Sequence, residues 1–159
     1  MSQPLWHSPA DIVRELLVQL GMGSDPTVSP GSPWPVYASA EPQSPDNCIT
    51  VFDTQGTDDG RTMHGFKPDH FGIQVRVRAA DHPTAWQKAD AQIRVALCEG
   101  VDDSSLPQTV TLTIPLPMTR YTVPNFARIG QCLALGKEAP NSRRSIVTLN
   151  ATVVIQCGE

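Results

Sequence analysis

Apolar positions along the chain recur in blocks whose spacing switches between the helical and the strand period. In HSPADIVRELLVQLG, Ile12, Val13, Leu16, Leu17 and Leu20 return at three- and four-residue steps and predict an amphipathic helix. Ser8 is placed to accept from its first-turn N–H groups, Pro9 suits the first helical position, Asp11 lies near the positive end, and Gly21 ends it. CITVFDT at 48–54 predicts a strand. FGIQVRVRA at 71–79 predicts another, with Ile73, Val75 and Val77 alternating with Gln74, Arg76 and Arg78. DHPTAWQKADAQIRVALCEG then predicts a second helix from Pro83 to Glu99, with Trp86, Ala89, Ile93, Ala96 and Leu97 inward and Lys88, Asp90 and Arg94 outward. After Gly100 come three strand signals: QTVTLTI, a weaker one over Arg120 to Leu135, and SIVTLNATVVI at 145–155.

Two stretches fit neither period. Residues 22–47 hold six prolines and many serines, which predicts extended coil with one short strand near Trp34 to Ala38; Trp34 and Tyr37 imply that part of it docks on a surface. DTQGTDDGRTMHGFKPDH, residues 53–70, is polar and glycine-rich and reads as a long loop joining two strands. Runs of strands broken by single helices point to an α+β fold, a mainly antiparallel sheet of five to six strands with two helices packed on one face, rather than to alternating parallel units. The length of 159 residues fits one domain spanning 1–159, with the proline-rich segment and the polar loop inside it.

Charge and cysteine usage narrow the classes. Charged residues are 18% of the chain, below the roughly 25% usual for soluble domains, and the net charge is -4. That balance opposes a surface that grips nucleic acid throughout, although a local basic patch stays open. Cys48, Cys98, Cys132 and Cys157 lie far apart without zinc spacing, so they read as buried thiols in a reducing compartment. The N-terminus lacks the features of a secretory signal, and no run approaches the roughly 20 apolar residues of a membrane span.

Motifs for chemistry are weak. There is no GxSxG turn, and Cys98 and Ser142 have no nearby base; the expectation is a non-enzyme with no catalytic residue, cofactor or metal. An EF-hand reading of the loop starting at Asp53 fails because His64 stands where a bidentate Glu is needed. His64, Asp69 and His70 lack any element fixing them as metal ligands, and the glycines match no P-loop. Arg76 and Arg78 lie on one side of their strand, about 7 Å apart by the strand rise, so they either clamp an anion or pair with acids on a neighbouring element. Arg120, Arg128, Arg143 and Arg144 add positive charge to the C-terminal half, whereas the 53–70 loop carries Asp53, Asp58, Asp59 and Asp69. Opposite charges in separate segments suit contacts between copies.

These residues resemble a known family. PDNCITVFDTQG, followed by a polar loop, QVRVR, a helix with Trp86, Lys88 and Ala89, and finally LALGKEAPNSRRSIVTLNATVVI, is similar to the minor capsid and tail terminator proteins of long-tailed bacteriophages. The matching positions are Pro45, Asp46, Ile49, Val51, Phe52, Asp53, Thr54, Gly56 and Gln74 to Arg78; the LALGK region departs from the usual form at Lys137, Ser142, Arg143 and Ile146. The resemblance implies a structural virion protein of the tail or neck, made in the host cytoplasm, that caps the tail tube as a hexameric ring and offers the attachment surface for the head. Its implied partners are further copies of itself, the tail tube protein and a head-closure protein, with DNA passing through. Arg76, Arg78, Arg143 and Arg144 are then expected at a subunit contact. Asp53, Asp58, Asp59, Arg61, Lys67 and Asp69 are expected on a loop that lines the channel or touches the tube. A neighbouring connector of similar fold, a nucleic-acid module using the Arg76/Arg78 face and a small enzyme with a dispersed site are the other readings.

Overall fold

The first helix is α1 (Pro9–Gln19), capped as its sequence requires: Ser8 Oγ accepts from Asp11 N at 3.2 Å. A second cap comes from outside the helix, where Asp53 Oδ1 accepts from Ala10 N at 2.8 Å. Ala10, Ile12, Val13, Leu16 and Leu17 are fully buried. Each of the larger four contributes about 1.5–3 kcal/mol of burial free energy. Gly21 at φ 75° stops the helix while Met22 N bonds back to Leu17 O.

The structure, a computed structural model, describes residues 4–58, 63, 69–98, 105–114 and 116–158. Its strands are β1 (Val36–Ala38), β2 (Cys48–Asp58), β3 (Asp69–Ala79), β4 (Gln108–Leu112), β5 (Thr119–Arg128), β6 (Leu133–Lys137) and β7 (Ser145–Cys157). They form one sheet in the order β1-β2-β3-β7-β5-β4, with β6 also on β7. Among these strands of the described residues only the β1–β2 pair is parallel. The expected α+β class and mainly antiparallel sheet are therefore what the chain forms. The weak 120–135 signal resolves into two strands, β5 and β6, which pair with successive halves of β7. That split raises the strand number to seven, above the expected five to six.

α1 touches β4 near one end of the strand order and β1 and β2 at the other, so the sheet curls around it. The core face of β3 carries Ile73, Val75 and Val77, opposite Ala151, Leu149 and Val147 of β7, and all six are fully buried. Ahead of α1, buried His7 places Nδ1 2.7 Å from the Tyr121 hydroxyl of β5.

The second helical run comprises α2 (His82–Trp86), a π-helical stretch (Gln87–Arg94) and α3 (Val95–Leu97), and it packs on β3 and β7. Its buried stripe is Ala85, Ala89, Ile93 and Leu97, spaced by four throughout. In a plain α-helix each four-residue step drifts by about 40°, so such a stripe would wind off the sheet. The wider π turn, with i→i+5 bonds, offsets the drift. The sequence expectation placed Trp86 inward and Lys88 outward; the structure reverses both, with Trp86 37% and Lys88 7% exposed. Lys88 Nζ instead bonds Gln92 Oε1 at 2.9 Å and lies 5.2 Å from the centroid of the Trp34 ring. Burial lowers its pKa.

The expected 53–70 loop is also corrected. Residues 53–58 continue β2, and 69–70 already belong to β3, so these ends form a hairpin extension. A register shift between Thr54 and Thr57 marks a bulge at Gly56. A Cβ on Gly56 would collide with the His70 carbonyl, and one on Gly72 with that of Gln55. Glycine here permits close strand approach, which composition alone reads as loop.

All four thiols are free, and Cys48, Cys98 and Cys132 are buried. Burial pushes Cys98 from the usual 9.0 up to about 11, against the opposing charges of Arg128 and Arg94. Burial likewise raises Cys132 to about 11, helped by Asp90. A raised folded-state pKa leaves the stability contribution intact below pH 9.0 and removes it as the pH climbs to about 11. Urea unfolding across that window is expected to show a steeper loss of stability for the wild type than for a C98A/C132A double variant. Equal slopes would contradict the assignment.

Candidate functional site

On the face of β3 opposite the core, Arg76 and Arg78 meet acids from distant parts of the chain. Arg78 Nη2 donates to the carbonyls of Pro42 at 2.6 Å and Pro45 at 2.9 Å, and Nε donates to that of Asp46 at 3.4 Å. Its Nη1 donates to Glu138 Oε1 at 3.2 Å and lies 3.8 Å from Glu41 Oε2. Arg76 Nε lies 3.5 Å from Glu41 Oε1. Arg144, preceding β7, completes the cluster with Asp46 at 2.7 Å and Glu138 at 3.3 Å. Three guanidiniums thus face three carboxylates, and the charges balance locally.

Arg78 is 1% exposed. A guanidinium in such a place is tolerated only when its donors are used, and here proline-rich backbone uses them. This corrects two expectations: Arg78 is an internal tie, not a contact to another copy, and the Arg76/Arg78 face holds no open clamp for phosphate. The bland alternative of pairing with acids on neighbouring elements is the one that formed. Arg76 keeps a partly exposed side chain, Arg144 is partly exposed, and Arg143 lies on the surface. Glu41 and Glu138 were missed in the sequence because nothing local links them to β3. For Glu41 the available signal was that it is one of three acids, with Asp25 and Asp46, in the proline-rich 22–47 segment; Glu138 had none.

The acidic positions divide as well. Asp53 and Asp69 line one surface cleft of about 320 Å³ with Pro9, His70 and Phe71, and Asp53 spends one oxygen on the α1 cap. Asp58 closes β2 directly opposite Asp69, so two acidic residues stand at the neck of the hairpin. Asp59, Arg61 and Lys67, like His64, lie outside the described residues. Among the described residues, no three His, Cys, Asp or Glu side chains converge as a metal site.

The family model described as bacteriophage tail terminator protein matches residues 16–116, from the middle of α1 through β4. The chain belongs to the bacteriophage tail terminator family. The match includes β2, β3 and the second helical run, the elements that carry PDNCITVFDTQG and QVRVR, and leaves β5 to β7 outside it. Its membership makes it a structural protein of a phage-type tail. No curated protein matches. Among solved structures, a chain of the "Virion of native gene transfer agent (GTA) particle" superposes with a TM-score of 0.41 at 13% identity, covering 76% of this terminator-family chain and 78% of its own length.

Removing one partner of a buried ion pair costs about 3–5 kcal/mol, because the other charges lose their compensation. Arg78→Leu is therefore expected to lower the melting temperature by roughly 10 °C, given about 2–4 °C per kcal/mol for a domain of this size. Arg143→Leu, exposed, should move it by less than about 2 °C. Calorimetry on the two variants decides; equal small shifts would remove Arg78 from its place as an internal tie.

Proposed function

We propose that this protein ends growth of the tail tube by closing on it as a hexameric ring, and that the ring presents the surface to which the filled head attaches. Family membership carries the reading. The geometry supports it in two ways. Among the described residues one chain builds a continuous apolar core by itself, which suits a subunit that folds before it assembles. The β2–β3 hairpin reaches beyond β1 and concentrates acidic residues at its neck, Asp58 against Asp69.

An acidic hairpin suits a channel that DNA must traverse, since like charge keeps the polymer from adhering. In this reading Asp58, Asp59, Asp69, Arg61 and Lys67 face the channel or the tube. Arg143 and the exposed sides of Arg76 and Arg144 face other subunits or the head-closure protein. The protein then works in the virion, at the junction of tail and neck.

Electron microscopy of the protein mixed with purified tail tubes is the direct test. Caps on tube ends, or six-subunit rings of about 103 kDa from the 17.2 kDa chain, are expected. A free monomer agrees with the proposal when caps form, because the tube then acts as template. Failure both to cap tubes and to rescue a terminator-deficient phage would overturn it. For the channel assignment, a D58N/D59N variant is expected to form caps but slow DNA ejection, and unchanged ejection would move these residues off the channel.

A further inference from the structure

Two uncharged features on different elements remain unused by this reading. The first is the turn between β4 and β5, whose sequence TIPLPM alternates proline with large apolar residues. Ile114, Leu116 and Met118 are 84%, 84% and 67% exposed, and the turn is braced where Thr119 Oγ1 donates to Pro117 O at 2.9 Å. Loop tips normally present polar groups to water, so three bare apolar side chains within five residues mark a contact surface. Prolines at 115 and 117 carry no N–H, which lowers the number of backbone donors stranded when the tip is buried.

The second is a cleft of about 390 Å³ in the proline-rich segment, lined by Pro26, Pro33, Trp34, Pro35, Tyr37 and Pro45 among other uncharged residues. That volume lies within the roughly 300–1,000 Å³ of binding clefts. The cleft is held from several sides. Ser24 N donates to Trp34 O and Val36 N to Ser24 O, both at 2.9 Å, and a Cβ on Gly23 would collide with Val36 and the Trp34 carbonyl. Trp34 sits at φ 55°, a left-handed conformation that costs a bulky side chain energy, and the Lys88 ammonium backs its ring. Arg78 holds the lining residue Pro45 through its carbonyl, and Pro42 beside it. A strained aromatic in a braced, open cleft is a preformed receptor, and its rigidity reduces the ordering cost of binding.

We infer that the Ile114–Met118 tip of one copy docks in the Trp34/Tyr37 cleft of the next copy. Neither surface carries charge, so neither loses ionic hydration on contact. β4 ends the strand order opposite β1, the strand that carries Tyr37, and in the monomer both surfaces are open. Tip and cleft are different patches, which makes the contact head-to-tail, the kind that closes into a ring when the rotation allows. This inference rests on the ring reading for its purpose, while the contact itself is testable without a ring.

A synthetic peptide of residues 112–119, titrated into the ¹⁵N-labelled full chain, is expected to shift the Trp34 indole and Tyr37 and Asn47 amide signals. The same peptide with Leu116→Asp should bind at least ten-fold more weakly. In the tube assay, full-chain Leu116→Asp and Pro33→Asp, both changes at exposed positions, are each expected to reduce capping at least ten-fold with unchanged circular dichroism. If the wild type caps tubes and both variants cap equally well, the docking is overturned and the ring reading stands. If Leu116→Asp alone fails, the tip meets the tube rather than another copy, which also overturns the inference. If the wild type does not cap, the ring reading falls and the titration decides the contact: shifts confined to the cleft uphold it, and their absence ends it.

Discussion

The buried guanidinium of Arg78 is the constraint on which the outer layer of this protein depends. On one side of the sheet the organisation is ordinary: two helical elements cover Ile73, Val75, Val77 and their β7 partners, and apolar burial holds them. On the other side, among the described residues, it is residues 39–47 and the chain after β6 that meet Arg76 and Arg78, and neither stretch forms a helix or strand there. Those segments have too few aliphatic side chains to adhere by burial. They are held by hydrogen bonds to a charge that cannot be left unpaired, so the penalty for undoing any one of them is shared by all. Glu41 and Glu138 neutralise the arginine, and Arg144 in turn neutralises Glu138 and Asp46, giving a chain of ion pairs that runs from Arg76 through Glu41, Arg78, Glu138 and Arg144 to Asp46 and links parts of the sequence about a hundred residues apart.

The helical run shows the same economy in a different medium. Lys88 is drawn from the solvent side by the π turn and becomes a support for Trp34. Arg78 and Lys88, both buried, thus support different parts of one proline-rich segment. Neither is available as a free charge for a partner.

What was legible in the sequence follows from where the physics is local. Helix α1 was readable to within a residue, because its cap, its stripe and its terminating glycine all lie inside its own fifteen residues. The β3 and β7 strands were readable from alternation and β-branching. The hairpin extension at 53–58 was not, since Gly56 and Asp58 are disfavoured in strands and are held in the sheet by β3. The facing of Trp86 and Lys88 failed because a 3.6-residue period was imposed on a stretch that does not keep it. Arg76 and Arg78 were correctly singled out as a pair sharing one face. Their partners were invisible, because Glu41, Asp46 and Glu138 reach them only through tertiary folding.

The tie at Arg78 also bears on how this chain can vary in length. A segment with six prolines, little secondary structure and a surface position looks like the place where insertions would be harmless. Yet the carbonyls of Pro42, Pro45 and Asp46 must all converge on one planar group, and one residue added among them would carry at least one carbonyl out of reach. The stretch that composition marks as loosest is therefore one where the chain has little freedom to change its count.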